Sequence, residues 1–366
     1  MAPIVRLLGQ TKGIESRVCV TAQHRQMLDQ VLELFRITPD YDLDLMRDNQ
    51  SLPELSAAIF LNLDAVLGAF KPAWILVQGD TTTVAITALL AYYRRIKVGH
   101  VEAGLRTHDK WQPFPEEINR RVAGVIADLH FAPTEWSRQN LLRENTPDKS
   151  IIVTGNSVID ALNFVSKQAE PQEIIKLMEK LGIASSHSGS HHHVKKLILV
   201  TAHRRENFGQ PLEDICHALK KLAAHKNVEI VYPVHLNPNI QEPVHRILKD
   251  LKHITLLPPL DYLPLVHLMK RATLILTDSG GIQEEAPAFG IPVLVMRETT
   301  ERPEGVNAGT LKLVGTDTNR IVQEATRLLI DPSEYAKMAK ASNPYGDGHT
   351  AERIVRALLE KSESHL

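Results

Sequence analysis

The sequence predicts an α/β protein made of two doubly wound parallel-sheet, Rossmann-like domains with an interdomain cleft, and three observations carry that expectation. Short apolar runs of strand length alternate with amphipathic helical patterns along most of the chain, as in a parallel sheet covered on both faces. The alternation pauses at Ser185–His193 (SSHSGSHHH), which has no apolar periodicity and reads as a flexible segment. With 366 residues the chain is too long for one typical core and suits two ordinary domains.

Taken in order, Met1–Leu8 reads as a helix, Arg17–Ala22 as a strand and His24–Phe35 as a helix. Ser51–Ala69 is a longer helix whose Leu52, Leu55, Ile59, Leu63 and Val66 form one stripe. Strands follow at Ala73–Gln78, Lys97–Val101, Leu129–Ala132 and Ser150–Thr154, each leading into a helical pattern. After the histidine-rich segment the second series begins. Its strands are Leu197–Ala202, Val228–Pro233, Ile254–Leu257, Leu274–Thr277 and Pro292–Val295. The chain closes with an amphipathic helix, His349–Glu360, after the turn-rich Asn343–Gly348.

A net charge of -1 supplies no global field to recruit nucleic acid or an anionic membrane, so an anionic ligand needs a local site. Cys19 and Cys216 stand far apart in apolar contexts and read as reduced thiols of a cytoplasmic protein. No apolar run reads as long enough to span a bilayer and no signal peptide is evident, so membrane insertion is not expected. Nothing fixes the geometry of the three adjacent histidines in the linker, and no metal site is assigned there or elsewhere. No Gly-x-Ser-x-Gly elbow points to a nucleophilic hydrolase.

In open parallel sheets ligands bind beyond the carboxyl ends of the strands. Four such ends here carry an unusual polar load. Gly79-Asp80-Thr81-Thr82-Thr83 combines a permissive glycine with an aspartate that either caps the next helix or faces the cleft. Gly99–Arg120 (GHVEAGLRTHDKWQPFPEEINR) crowds ionisable groups between a strand and a helix starting at Pro115. Glu102 reads as facing outward from that strand end. Glu116 and Glu117 project about 100° apart on a helix, so at most one points squarely at the cleft. Thr201–Asn207 (TAHRREN) offers His203 and Arg204 to a phosphate or leaving-group oxygen, or else makes only a Glu206–arginine salt bridge. Asp278–Glu285 (DSGGIQEE) pairs two glycines, whose free N–H groups suit a phosphate, with carboxylates that suit ribose hydroxyls. Thr300–Glu304 adds a further charged turn.

The blocks GDTTT, GHVEAGLRT, PFPEEINR, HFAPT, VTGNSVIDAL, TAHRREN, PVHLNP, DSGGIQEEAP and TTERPEGVNAGT stand in one order. Together they resemble the non-hydrolysing UDP-N-acetylglucosamine 2-epimerases, from about Ala2 to Ile354 outside the linker. The resemblance implies a glycosyltransferase-B-like fold. One domain would span residues 1–168 and be completed by the C-terminal helix 345–366, and a UDP-binding domain would span 169–344 with its flexible segment at 185–193. It implies reversible epimerisation at carbon 2 of UDP-N-acetylglucosamine, without metal or redox cofactor, for cell-surface polysaccharide. The partners it implies are the nucleotide sugar, UDP and a second copy of the chain.

By the same resemblance Asp80, Glu102 and Glu116 are acid/base and sugar-site carboxylates, and His203 serves the leaving group. Arg204, His235, Ser279, Gly280, Gly281, Glu285 and Arg302 match substrate-binding positions. Gln23 and Gln26, with Arg204 and His235, match a regulatory nucleotide-sugar site, although the arginine expected within MRDNQ is Asn49. The family begins with a strand and a Gly-Thr-Arg-Pro-Glu loop, whereas MAPIV falls inside its first helix. The first sheet is therefore expected to lack one strand, and activity to suffer. Two other readings compete with the epimerase: a catalytically impaired nucleotide-sugar binder, and a hydrolysing epimerase that releases UDP and N-acetylmannosamine. A glycosyltransferase on the same fold fits less well, because three carboxylates near carbon 2 leave no role for an acceptor.

Overall fold

Among the described residues twelve strands, all paired in parallel, build the fold. The computed structural model describes residues 1–22, 25–47, 49–183, 195–225 and 227–363. These form two compact units, Met1–Ala161 with Tyr345–Leu366, and Leu162–Pro344. The expectation for Ser185–His193 lies outside the described residues.

The first unit contains β1 (Cys19–Val20), β2 (Tyr41–Asp42), β3 (Trp74–Gln78), β4 (Lys97–Val101), β5 (Leu129–Ala132) and β6 (Ile151–Val153). β3, β4, β5 and β6 form one sheet in chain order, and β1 pairs with β2 alone. Among the described residues no backbone pairing joins β1 to β3. The closing helix, Thr350–Glu363, belongs to this unit. Asp160 caps its start by accepting from the N–H groups of Thr350 (3.2 Å) and Ala351 (2.8 Å). Its Ile354, Val355 and Leu358 pack with Ile4 and Leu8 of the opening helix and with Val101, Leu129 and Phe131 of the sheet.

Leu52–Phe70 corrects one expectation. By length and apolar composition this helix is sufficient to cross a membrane. Its first turn is closed by a capping box, Ser51 with Glu54. Leu55, Ile59, Leu63 and Leu67 lie buried in a cluster with Leu45 and Leu90.

The second unit contains β7 (Lys196–Thr201), β8 (Val228–Pro233), β9 (Ile254–Leu257), β10 (Leu274–Thr277), β11 (Val293–Val295) and β12 (Leu311–Leu313). Their order is β12-β11-β10-β7-β8-β9. Read from β7 as the first strand, this is the doubly wound order, and the chain reverses direction across the sheet between β7 and β10. That switch point is where such folds hold ligands, and the loops after β7 and β10 carry His203 and Ser279. The core beneath is apolar. Ile198, Val200, Leu219, Ile230, Tyr232, Val244, Leu276 and Leu294 are fully buried in one cluster.

One glycine fixes the turn after β4. Gly104 has φ +89°, and a Cβ there would sit 2.2 Å from the carbonyl oxygen of Ser137 in helix Glu135–Arg143. Its own carbonyl accepts from Asn140 Nδ2 at 3.0 Å. Gly104→Ala therefore combines a left-handed strain with an overlap against rigid backbone, and should destabilise the protein by about 2–3 kcal/mol. Urea denaturation measures this, and a loss under about 0.5 kcal/mol, the range of neutral surface changes, would show that the helix yields.

Candidate active site

The first group of site residues stands at the carboxyl ends of β3 and β4. The N-cap residue of helix Thr82–Tyr93 is Thr81, not Asp80. Asp80 is thus free of capping duty. Its Oδ2 accepts from Arg120 Nε (3.0 Å) and Nη2 (2.7 Å), and its backbone carbonyl accepts from Asn119 Nδ2 (2.9 Å). Arg120 and Asn119 lie on helix Glu116–Ile126, so that helix clamps the Asp80 turn from outside the sheet. Glu102 has φ +65°, a conformation that costs a non-glycine residue about 1–3 kcal/mol and tends to mark working sites. Its carboxylate accepts from Gln78 Nε2 (3.4 Å) and Asn156 Nδ2 (3.3 Å). A Cβ on Gly79 would lie 3.7 Å from the same carboxylate, so Glu102 lies against the turn that carries Asp80.

The adjacent glutamates divide. Glu117 is wholly buried and bound by the N–H groups of Thr107 (3.1 Å) and His108 (3.2 Å) and by Arg120 Nη1 (3.2 Å). Glu116 is half-buried, with no hydrogen-bond or ion-pair partner among the described residues. It lies four residues before Arg120 and so shares the helix face that reaches Asp80.

Two histidines stiffen this strand end from below. His100 and His130 are register partners on β4 and β5, and both are buried. His100 Nε2 donates to the Gly79 carbonyl at 2.8 Å, which leaves Nδ1 buried without a partner among the described residues. Burial is the largest cause that pushes both rings down, to about 4. The sign follows directly. Between about pH 6.5 and 4 the unfolded chain takes up protons that these rings refuse, so their contribution is complete above 6.5 and lost as pH falls toward 4. Denaturation at pH 7.5, 5.5 and 4.5 should show stability falling across that window, and both rings should remain neutral at pH 5.5 in proton NMR. Rings that titrate near pH 6.5 would remove this account.

The second group surrounds the switch point of the other unit. Asp278 follows β10 and is completely buried. Its Oδ2 accepts from the N–H groups of His203 and Arg204 (2.8 Å each) and from Asn207 Nδ2 (3.0 Å). His203 Nδ1 lies 3.1 Å from Oδ1. The ring of His203 stacks on that of His235, with centroids 5.9 Å apart and planes at 17°. Arg204 donates to Glu301 (3.1 Å), so the alternative Glu206 contact belongs instead to Arg297 (2.5 Å).

Ser279 precedes the short helix Gly280–Glu285 without capping it. Arg302 packs over Gly280 so closely that a Cβ there would sit 2.7 Å from its Nη1. Arg302 also donates to Glu284 (2.5 Å) and Glu301 (2.9 Å). Glu301 thereby gathers Arg204, Arg297 and Arg302. Burial raises its carboxyl, but Arg302 and the other cations outweigh that and hold it at about 2. Gly281 has open space, its nearest neighbour being Glu285 Oε1 at 3.9 Å from a built Cβ. Burial, and then the charge of Glu284, push the Glu285 carboxyl up to about 8.

The structure therefore brings Asp80 and Glu102 together at neighbouring strand ends, and groups His203, Arg204 and His235 around Asp278. Ser279, Gly280, Gly281 and Arg302 cluster beside them. Of the regulatory positions, Gln23 and the side chain of Gln26 lie outside the described residues. Sequence reasoning assigns no role to Arg120, Glu117, Asp278 or Glu301. Arg120 carries one usable signal, its i+4 spacing from Glu116. Among the described residues no three His, Cys, Asp or Glu side chains converge as a metal site.

The family described as UDP-N-acetylglucosamine 2-epimerase matches residues 6–359. The UDP-N-acetylglucosamine 2-epimerase of Escherichia coli K12 is 57% identical over 359 residues, 98% of this chain and 94% of that one. The crystal structure of UDP-GlcNAc 2-epimerase from Neisseria meningitidis bound to UDP-GlcNAc superposes with a TM-score of 0.87 at 48% identity, covering 98% of this chain and 96% of that one. The Methanocaldococcus jannaschii enzyme in complex with UDP-GlcNAc and UDP gives 0.77 at 32% identity, covering 98% and 95%. With matches of this extent in both sequence and fold, the chain belongs to the UDP-N-acetylglucosamine 2-epimerase family.

Proposed function

We propose that the protein interconverts UDP-N-acetylglucosamine and UDP-N-acetylmannosamine without net hydrolysis. The proton on carbon 2 of the sugar is not acidic in the ground state. It becomes removable as UDP leaves carbon 1 and positive charge builds beside it. Elimination gives 2-acetamidoglucal and UDP, and re-addition with a proton delivered to the opposite face gives the epimer. In this reading Asp80, Glu102 and Glu116 provide the acid/base and sugar-site carboxylates. His203 serves the leaving group, while Ser279, Gly280, Gly281, Glu285 and Arg302 hold UDP. Arg204 and His235 flank His203 on the substrate side.

The observation that carries the reading is the pair of carboxylates on adjacent strand ends, Asp80 clamped by Arg120 and Glu102 held in a strained left-handed conformation. Oriented acids at a fixed backbone suit proton transfer on both faces of one carbon. The test is turnover of UDP-N-acetylglucosamine in heavy water. Product and recovered substrate should both carry solvent deuterium at carbon 2. UDP appearing with free N-acetylmannosamine would indicate a hydrolysing enzyme. Tight UDP binding with no turnover would indicate a binder.

The same reading takes the protein as a cytoplasmic homodimer supplying cell-envelope polysaccharide synthesis. Cys19 and Cys216 are unpaired thiols that burial pushes up, to about 11 and about 12, so neither is poised for exchange. The exposed Tyr92 and Tyr93, with Phe60 against the second ring, offer an apolar surface for a second copy. Light scattering on the purified protein measures that association.

A further inference from the structure

We propose that Asp278 sets the orientation and ring tautomer of His203, so that the two residues act as one pair in the departure and return of UDP. The proposal rests on the functional reading above for the role of His203, and on the geometry of Asp278 for everything else.

Asp278 is immobilised before it meets the ring. Three donors from the loop after β7, the N–H groups of His203 and Arg204 and the Asn207 side chain, converge on Oδ2 within 2.8–3.0 Å. Asn207 is itself buried and also donates to the Met296 carbonyl (3.2 Å), which locks that side of the loop. The other oxygen, Oδ1, is buried and has no properly directed hydrogen bond among the described residues. Its close polar neighbour is His203 Nδ1, at 3.1 Å. Burial pushes the Asp278 carboxyl up, but the His203 ring and the N–H groups of Arg204 and His203 outweigh it and hold the group below the usual carboxylate range.

An ionised carboxylate oxygen only accepts, so the nitrogen facing it must carry the hydrogen. Nδ1 is therefore the protonated nitrogen of the neutral ring, and Nε2 is the one left to meet a ligand. The His235 ring lies against the face of the imidazole and leaves its edge open, and the side chain is 41% exposed.

The chemistry balances without any further reactant. The bond from carbon 1 to the leaving oxygen breaks with its electron pair on the β-phosphate, while carbon 2 gives up its proton to a carboxylate. The form that serves the leaving group is the imidazolium, with a hydrogen on each nitrogen: Nδ1–H faces Asp278, whose anion offsets the ring's charge, and Nε2–H is shared with the departing phosphate oxygen. Re-addition reverses each transfer. Asp278 touches neither substrate nor reacting atom, and acts through His203 as a positioning residue.

Asp278→Asn tests this, because the amide oxygen can still accept from the two backbone N–H groups. Its Nδ2 then faces Nδ1 and forces the hydrogen onto Nε2. Nitrogen-15 spectra of the neutral His203 ring should show Nδ1–H in the wild type and Nε2–H in the variant. Turnover should fall by about 10²-fold or more, as when the buried acid behind a catalytic histidine is replaced, while UDP affinity stays within about threefold. The double variant with His203→Ala should be no slower than His203→Ala alone, since a residue that acts only through the ring has nothing left to orient. Multiplying losses, or an Nε2–H ring in the wild type, would overturn the assignment. If Asp278→Asn does not fold, the wild-type ring spectrum decides by itself. A wild type that folds but does not epimerise would sink the functional reading instead, and the spectrum still judges the Asp278–His203 pair.

Discussion

Asp80→Asn should lower the rate of epimerisation by about 10²–10⁴-fold and leave the fold intact, the range expected when one group of a general acid/base system is neutralised. The fold should survive: Arg120 loses one of its two anions but keeps Glu117, and the amide keeps an acceptor at position 80. Its side-chain oxygen still accepts from Arg120, and the bond from Asn119 ends on the backbone carbonyl, which the substitution does not touch. What would disappear, on the proposed role, is the capacity to take or give a proton at a fixed point beyond β3. The loss should fall on turnover more than on UDP affinity, because the UDP-binding residues proposed here belong to the other unit. Steady-state kinetics, melting temperature and deuterium incorporation at carbon 2, measured together, check this. A variant that turns over at the wild-type rate would remove Asp80 from the chemistry. One that loses rate and melting temperature together would make it a structural residue.

Most of the fold is legible in the sequence because parallel strands buried on both faces are continuous apolar runs. β4, β5, β8, β9 and β10 have the bounds that their apolar runs suggest. Two strands give no such signal. β2 (Tyr41–Asp42) is two residues long and half polar, and β12 (Leu311–Leu313) is three residues at a sheet edge with a lysine at its centre. Both exist because a neighbouring strand offers a partner, which is a tertiary fact. The strand read at Arg17–Ala22 shrinks to Cys19–Val20, where Val20 is buried, Ala22 has φ +58° and pairing extends only to β2.

The site is legible in a different way. Strand-end position marks which polar stretches matter, but not which residue in a stretch points where. Asp80 and Glu102 emerge because each directly follows a recognisable strand. The residues that hold them do not. Arg120 comes from the following helix, and Asp278 reaches back to the loop after β7 across a sequence separation of 75 residues to His203. Glu301 is one of many glutamates until three arginines are seen around it. Ion-pair partners distant in sequence leave no local pattern, so the supporting shell appears only in three dimensions.

Glu116 and Glu117, adjacent in sequence, should separate completely by experiment. Glu117 has a side chain with no exposure and four polar neighbours. Oε1 accepts from the His108 N–H and lies 3.7 Å from Arg121 Nε, while Oε2 accepts from the Thr107 N–H and Arg120 Nη1. Removing the carboxylate strands two backbone donors and takes one anion from Arg120, which is itself only 13% exposed. Breaking a buried pair in this way costs about 3–5 kcal/mol. At about 2–4 °C per kcal/mol for a unit of this size, Glu117→Ala should lower the melting temperature by roughly 6–20 °C. Glu117→Gln keeps the shape and one acceptor, so its loss should be smaller, about 1–3 kcal/mol. Glu116→Gln should do the reverse. With no partner to lose among the described residues, it should change stability by no more than about 0.5 kcal/mol while reducing turnover by about 10²-fold or more. Calorimetry and kinetics on the three variants separate the two roles. Equal stability losses at both positions would mean that Glu116 is as deeply engaged as its neighbour, and full activity in Glu116→Gln would take it out of the acid/base set.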